Sequence, residues 1–205
     1  MSVENRPQSC RNKEQQIRAA ARDLFMAQGY RPTSMDQIAQ KADVSKTTLY
    51  AYFASKEALF VAMINEEKRR LGLFVPETLP DGPVDAREVL MQMGRGMIRL
   101  HCDRAAMGSF RTVLAEACQS PELARTMWAE GPSKFLARTT ILMAQLAERA
   151  GLKIDDPETA AVHFLALVRG DWHLHILMDR TFVPDPAELE KRLVAAVDFF
   201  LMRTA

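Results

Sequence analysis

The sequence predicts an all-α protein, and three observations carry that prediction. From Asn12 to Gln28 the apolar residues Ile17, Ala20, Ala21, Leu24 and Phe25 fall at i, i+3, i+4, i+7 and i+8, one stripe of a helix. Side chains suited to capping stand before one helix-like segment after another: Ser34, Ser45, Ser55, Asp85, Ser120, Asp156 and Asp185, the last two and Ser120 each followed by proline. No stretch alternates apolar and polar residues as a half-buried strand does, and no internal repeat is visible.

In chain order, the first helix ends at Gly29, since glycine accepts the left-handed conformation of a helix exit. A second begins near Ser34 and sets Met35, Ile38, Ala39 and Ala42 on one face, small enough for close packing. Asp43-Val44-Ser45 is the turn, and Ser45 or its neighbour caps a short third helix. Ser55 caps the fourth with Ala58 at the third position, so a reciprocal capping box is absent, and this helix runs on past Lys68. Thr78 to Pro83 is the clearest linker and separates elements within a second domain. Asp85 with Glu88, and Asp185 with Glu188, have capping-box spacing. Helices are expected near 85–100, 105–118, 121–149, 157–179 and 186–203, with Gly131-Pro132 kinking or breaking the long one.

Composition narrows the class. A chain of 205 residues, 48% hydrophobic and 26% charged, suits one large domain or two small ones and buries a genuine core. The net charge of +1 is uninformative, but its distribution is not. Residues 1–71 hold twelve Lys and Arg against eight Asp and Glu, while the remainder holds fifteen against eighteen. A basic first third fits contact with phosphates. Cys10, Cys102 and Cys118 are odd in number and lack metal-ligand spacing, and no secretion signal precedes them, so reduced thiols in a cytoplasmic protein are expected. No apolar run approaches membrane-spanning length.

The stretch from Val44 to Phe60 carries the function. Two helices joined by a tight turn, the second with a polar leading end, have the layout of a helix-turn-helix that enters a major groove. Ser45, Lys46, Thr47 and Thr48 offer hydroxyls and an ammonium to base edges, and a threonine methyl can meet a thymine methyl. Tyr50, Tyr52 and Lys56, with Thr33 and Ser34 at the start of the second helix, are suited to gripping the backbone on either side. Leu49, Phe53, Leu59 and Phe60 supply the apolar underside. An ordinary amphipathic helix pair in a ligand-binding or protein-interaction module is the alternative that the same pattern supports.

The surrounding residues favour the DNA reading. Ile17, Ala20, Ala21, Leu24, Phe25, Gly29 and Tyr30, then Thr33-Ser-Met-Asp-Gln-Ile-Ala39, then Val44-Ser45-Lys46, Thr48-Leu49-Tyr50, Tyr52-Phe53 and Ser55-Lys56-Glu57-Ala58-Leu59-Phe60 form one string. Over Lys13 to Leu71 it resembles the DNA-binding domain of the TetR family of bacterial transcriptional regulators (TetR/AcrR-like). Asp43 and Thr47 depart from the glycine frequent at the first position and the glycine or alanine common at the second, and Ala51 replaces a larger polar residue. Asp visits the left-handed region more readily than most residues, so the turn tolerates Asp43. The resemblance implies that Leu49 and Phe53 are structural, that Tyr52 and Lys56 bind phosphate, and that Thr47 sets the operator apart.

It also implies two domains: a helix-turn-helix domain over 11–71, with its recognition region at about 34–53, and a ligand-binding and dimerisation domain over 72–205. Helices near 157–179 and 186–203 are apolar nearly all round or along a long register (Phe164, Leu165, Leu167, Trp172, Leu189, Leu193, Val197, Phe200), which suits a dimer interface, the alternative being that both belong wholly to the monomer core. By the resemblance a homodimer pairs two such helices from each protomer and reads a two-fold operator in double-stranded DNA. The family's small-molecule inducer pocket points to Met97, Phe110, Trp128, Phe135 and Trp172. The implied protein is a repressor released by a small molecule, with no catalytic residues, no metal site and no cofactor. His173 and His175 are two apart and diverge on a helix, which makes them poor joint metal ligands. Asp171 and His175 could pair, but no nucleophile stands beside them.

Overall fold

A computed structural model describes residues 8–70, 75, 79, 81–118 and 120–204, with the side chains of 8–11, 67–70 and 109 left aside. The boundary expected at 71/72, Thr78 and Pro80 of the Thr78–Pro83 linker, and the Cys10 side chain lie outside the described residues. The fold is all-α. Among the described residues there are eleven α-helices: α1 (Gln8–Gln28), α2 (Met35–Lys41), α3 (Lys46–Tyr52), α4 (Lys56–Arg70), α5 (Ala86–Cys102), α6 (Arg104–Ala117), α7 (Pro121–Trp128), α8 (Lys134–Ala150), α9 (Pro157–Arg169), α10 (Trp172–Met178) and α11 (Pro186–Thr204).

The caps explain where the helices begin. The Ser34 side chain accepts from the Gln37 amide while the Gln37 side chain accepts from the Ser34 amide, a full reciprocal box. The Asp85 carboxylate accepts from the Glu88 amide at 3.2 Å, and that of Asp156 accepts from the amides of Glu158 and Thr159 at 3.1 and 3.2 Å. Asp103, to which the sequence assigned no role, caps α6 by accepting from the Ala106 amide at 2.8 Å.

Two expectations about helix continuity meet the structure differently. The long 121–149 segment is interrupted at Gly131-Pro132 as expected, by a single wide π turn over Ala129–Ser133. Proline has no amide hydrogen and its ring crowds the carbonyl four residues back, so widening the turn relieves the clash. The continuous helix expected over 157–179 is corrected: it divides into α9 and α10. Gly170 lies between them at φ 51, ψ −159, a conformation that side-chain-bearing residues avoid.

The helices pack as two compact units. The first comprises Met1–Glu66 with Gly108–Met127, a wider set than the 11–71 stretch, and the second comprises Glu67–Met107 with Trp128–Ala205. The first unit's core joins Ile17, Ala21 and Phe25 of α1, Ile38 and Ala39 of α2, Leu49 of α3, Leu59, Phe60 and Met63 of α4, and Val113, Leu123 and Met127. Phe25, Tyr30 and Phe60 form an aromatic triangle with centroids 5.0–5.3 Å apart. In the second unit α8 packs on α9, and α11 on both α5 and α9, around Leu90, Leu142, Met143, Leu146, Phe164 and Val197. Gly94 of α5 permits the close approach of α11, because a Cβ there would lie 2.2 Å from a Leu193 methyl. Arg149 and Gln145 of α8 fasten the chain before α5: the guanidinium donates to the carbonyls of Leu79 and Gly82 at 3.0 Å each, and the Leu79 amide donates to the Gln145 side chain at 3.0 Å.

Candidate nucleic-acid interface

The turn between α2 and α3 is closed by two backbone bonds, Asp43 N–H to the Gln40 carbonyl at 3.1 Å and Val44 N–H to the Ala39 carbonyl at 3.0 Å. Asp43 takes the left-handed conformation at φ 50, as its position in a tight turn requires. Helix α3 then lies on the core through Leu49, with Phe53 at its C-cap also buried. Its other side stays open: Thr47, Tyr50 and Ala51 are exposed.

The nine residues assigned to DNA contact occupy different situations. Thr33 is buried, its hydroxyl donating to the Gly29 carbonyl at 2.7 Å and accepting from the Gln28 amide nitrogen at 3.1 Å. Ser34 caps α2. Ser45 caps α3 by accepting from the Thr48 amide at 3.0 Å, and the two hydroxyls share a bond of 2.8 Å. The Lys46 ammonium lies 2.6 Å from the Asp36 carboxylate. Tyr52 is half-buried against the first core. Thr33, Ser34, Tyr50 and Lys56 line one cleft of about 410 Å³ together with Arg31, Met35 and Asp36. Arg31 and Asp36 were missed from the sequence. Neither falls on an apolar period, and only their charge beside a capping serine could have marked them.

Lys56 is the best-tied cation of the cleft. Its ammonium donates to the carbonyls of Tyr30 and Thr33 at 2.9 Å each and sits 4.2 Å from the Tyr30 ring centroid. Burial lowers its pKa, opposed by the carboxylates of Glu57 and Glu116. The Tyr30 hydroxyl donates to Glu57 at 2.9 Å. Burial, reinforced by that carboxylate, holds the phenol protonated well beyond its ordinary range. Burial alone would raise the Glu57 carboxyl, but hydrogen bonds from its own amide, Tyr30 and Ser55 outweigh it and pull the pKa down. The start of α4 is thereby fixed to the loop that leads into α2.

Of the five residues assigned to an inducer pocket, Phe110 falls in the first unit and the other four in the second. Met97 is buried in the second unit's core, with Phe135 packed against it. Trp172 is buried in the same unit, its indole N–H donating to the Val168 carbonyl at 3.3 Å. Phe110 belongs to the first unit and is half-buried. Trp128 is 63% exposed, unlike a side chain lining an enclosed cavity.

Next to Trp172 lies an arrangement the sequence did not reveal. The His101 ring meets Trp172 edge-on at 5.6 Å and His173 at 4.6 Å, and its Nδ1 is 2.7 Å from the Met97 carbonyl. Burial lowers the pKa of both imidazoles, the Arg169 charge adds to this, and His173 is pushed down to about 4. Their folded pKa values lie below the unfolded value of about 6.5, so the neutral rings stabilise the fold fully above that pH. The contribution is lost as pH falls from about 6.5 towards 4. A melting temperature that declines through this window, and declines less in His173→Phe, is the expected outcome of thermal unfolding followed against pH.

The Asp171 carboxylate pairs with Arg192 at 2.6 Å, and the His175 ring stacks on Phe182 at 3.6 Å, so the Asp171–His175 pair considered from spacing does not form. Cys102 and Cys118 are free cysteines on the surface, and partial desolvation raises the Cys102 pKa, disfavouring the thiolate. Among the described residues no cluster of three or more His, Cys, Asp or Glu could hold a metal ion, and no helix is long and apolar enough to cross a membrane. On α9 and α11 a groove of about 680 Å³ runs past His163, Ala166, Leu167, Phe199 and Arg203. Val162, Leu167, Phe199 and Met202 stand exposed on the same two helices.

Residues 17–63 match the family model for bacterial regulatory proteins of the tetR family, and residues 88–203 match that for the C-terminal domain of AefR-like transcriptional repressors. The HTH-type transcriptional regulator RutR of Escherichia coli K12 is 46% identical over 54 residues, so the match spans only 26% of this chain and 26% of RutR. A TetR-family transcriptional regulator of Mesorhizobium loti superposes with a TM-score of 0.79 at 28% identity, over 96% of this chain and 98% of that one. The flavonoid-responsive regulator FrrA superposes with a TM-score of 0.76 at 34% identity, over 94% and 96%.

Proposed function

Because the chain belongs to the TetR family of bacterial regulatory proteins, we propose that it is a homodimeric repressor that binds a two-fold operator and releases it on taking up a small molecule. Its role is regulatory and non-catalytic. The observation that carries the DNA reading is α3, docked by buried Leu49 while Thr47, Tyr50 and Ala51 stay exposed. A major groove admits such a helix, and its exposed side chains meet base edges. Thr47 reads, Tyr50 and Tyr52 grip the backbone, and Ser45 and Thr48 hold the leading end in shape. Lys56 and Thr33 brace the α1–α2 loop, so that Arg31 and Ser34 meet phosphates from a fixed position.

Two recognition helices on one body multiply affinity through effective concentration, and the exposed apolar faces of α9 and α11 are suited to join the protomers. The match to AefR-like repressors supports repression over activation. FrrA is flavonoid-responsive, and a planar aromatic inducer suits a unit rich in Met97, Phe135 and Trp172. Such a ligand acts only through its differential affinity for the DNA-bound and free states, and operator DNA weakens its binding by the same factor.

Gel-shift titration against the chain's own upstream region tests the reading. Retention of a fragment more tightly than random DNA, weakening steeply with salt, is expected; no preference over random DNA at low salt sinks it. Thr47→Ala should change the preferred base at one operator position by about tenfold while leaving random-duplex affinity near its starting value. Tyr52→Phe should weaken all sequences alike.

A further inference from the structure

The Asp36–Lys46 pair has no structural task comparable to the other contacts of the motif. Its two side chains are 66% (Lys46) and 59% (Asp36) exposed, yet ammonium and carboxylate meet at 2.6 Å. Lys46 opens α3 and Asp36 stands in the first turn of α2, on the wall of the cleft that also holds Arg31, Tyr50 and Lys56. The backbone of α2 and α3 is already joined through Asp43 and Val44, and their apolar sides through Ile38, Ala39 and Leu49. An exposed ion pair adds little to stability on top of these. Its position gives it a different consequence. A lysine at the leading end of the reading helix is a cation that any duplex would attract, whatever its sequence. With a carboxylate against it the pair carries no net charge.

We infer that Asp36 is a specificity-determining residue of the DNA-reading site, holding Lys46 out of indiscriminate phosphate contact. This rests on the DNA reading proposed above. On random DNA the carboxylate competes with phosphate for the ammonium, so non-specific affinity is kept low. On the operator, base contacts from α3 hold the duplex where Lys46 exchanges Asp36 for phosphate. Asp36 thus widens the gap between specific and non-specific binding, the quantity that decides occupancy among many competing sites.

The test uses the full-length protein, a random 30-base-pair duplex, and a duplex selected by the wild-type protein from a randomised library. Asp36→Asn should bind the random duplex about three- to tenfold more tightly, with a salt slope steeper by about 1.8 per dimer, the release of one further counterion by each protomer. The selected duplex should gain less, so the specificity ratio falls. Lys46→Gln should cost the wild type little on random DNA but remove the whole gain in the Asp36→Asn background. An unchanged slope in Asp36→Asn overturns the inference. So does a gain that survives in the double variant, because it would then come from the lost negative charge alone. If the library yields no preferred duplex for the wild type, the DNA reading itself fails, an outcome separate from either of these. Asp36→Asn should melt slightly lower, because a carboxylate in the first turn of α2 favours the helix N-terminus, and by the same amount in the Lys46→Gln background; a loss of several degrees seen only when Lys46 is present would make the pair structural and overturn its role in specificity.

Discussion

Phe60→Ala is expected to melt the first unit and abolish operator retention. Phe60 is fully buried, and its ring meets Phe25 at 5.1 Å and Tyr30 at 5.0 Å. Truncating a buried phenylalanine costs about 3–5 kcal/mol, a large share of the roughly 5–15 kcal/mol that holds a domain folded. The damage would also spread along a specific route. Without Phe60 the Tyr30 ring loses its support, and Tyr30 is what Lys56 sits against and what donates to Glu57. The loop leading into α2 therefore loses its anchor even in molecules that remain folded. Thermal unfolding should show a markedly lower first transition, and gel shift should show no retained operator. Phe60→Leu keeps most of the volume and should cost roughly 1.5 kcal/mol or less, with operator binding retained. Equal melting of wild type and Phe60→Ala would refute this account of the core.

The second large effect is expected on the opposite kind of surface. Leu167 and Phe199 are 37% and 50% exposed, so replacing both with aspartate removes little from the packing of a single chain. If α9 and α11 join two protomers, the paired carboxylates would face each other across a dry interface, and burying like charges there is prohibitive. Leu167→Asp/Phe199→Asp should therefore sediment as a folded monomer with unchanged helical content. Operator affinity should fall by about 10² to 10⁴, the loss of effective concentration between two reading heads. Random-duplex affinity per chain should barely move. A variant that stays dimeric would place the interface elsewhere.

Much of the fold was legible because its signals are local. The stripe Ile17–Phe25, the capping residues Ser34, Asp85, Asp156 and Asp185, and the turn at Asp43 each act within a few residues, and all appear as helix faces, caps or turns in the structure. Gly131-Pro132 likewise announced an interruption, although not that a π turn would accommodate it. Gly170 was passed over because the apolar period continues across it through Val168, Trp172 and Ile176, and a period cannot register a single residue at positive φ.

The candidate site was legible in outline and not in division of labour. Residue type identified Lys46, Lys56 and Thr33 as polar groups near the reading helix. Whether a polar group faces solvent, a carboxylate or a carbonyl depends on partners distant in sequence: Lys56 finds Thr33 23 residues away and Lys46 finds Asp36 ten residues away. The edge-on meeting of His101 and His173 was hidden for the same reason, since it joins α5 to α10.

The gap that Gly94 leaves for Leu193 has a bearing on descent. A methyl of the buried Leu193 already fills the space a Cβ at position 94 would need, so that side chain must turn aside or shrink before a larger residue fits. A lineage acquiring alanine or valine at 94 has to turn the Leu193 side chain or shed bulk there, so the two positions should vary together. Related chains sorted by the residue at 94 ought to show the smaller side chains at 193 wherever the glycine has been lost.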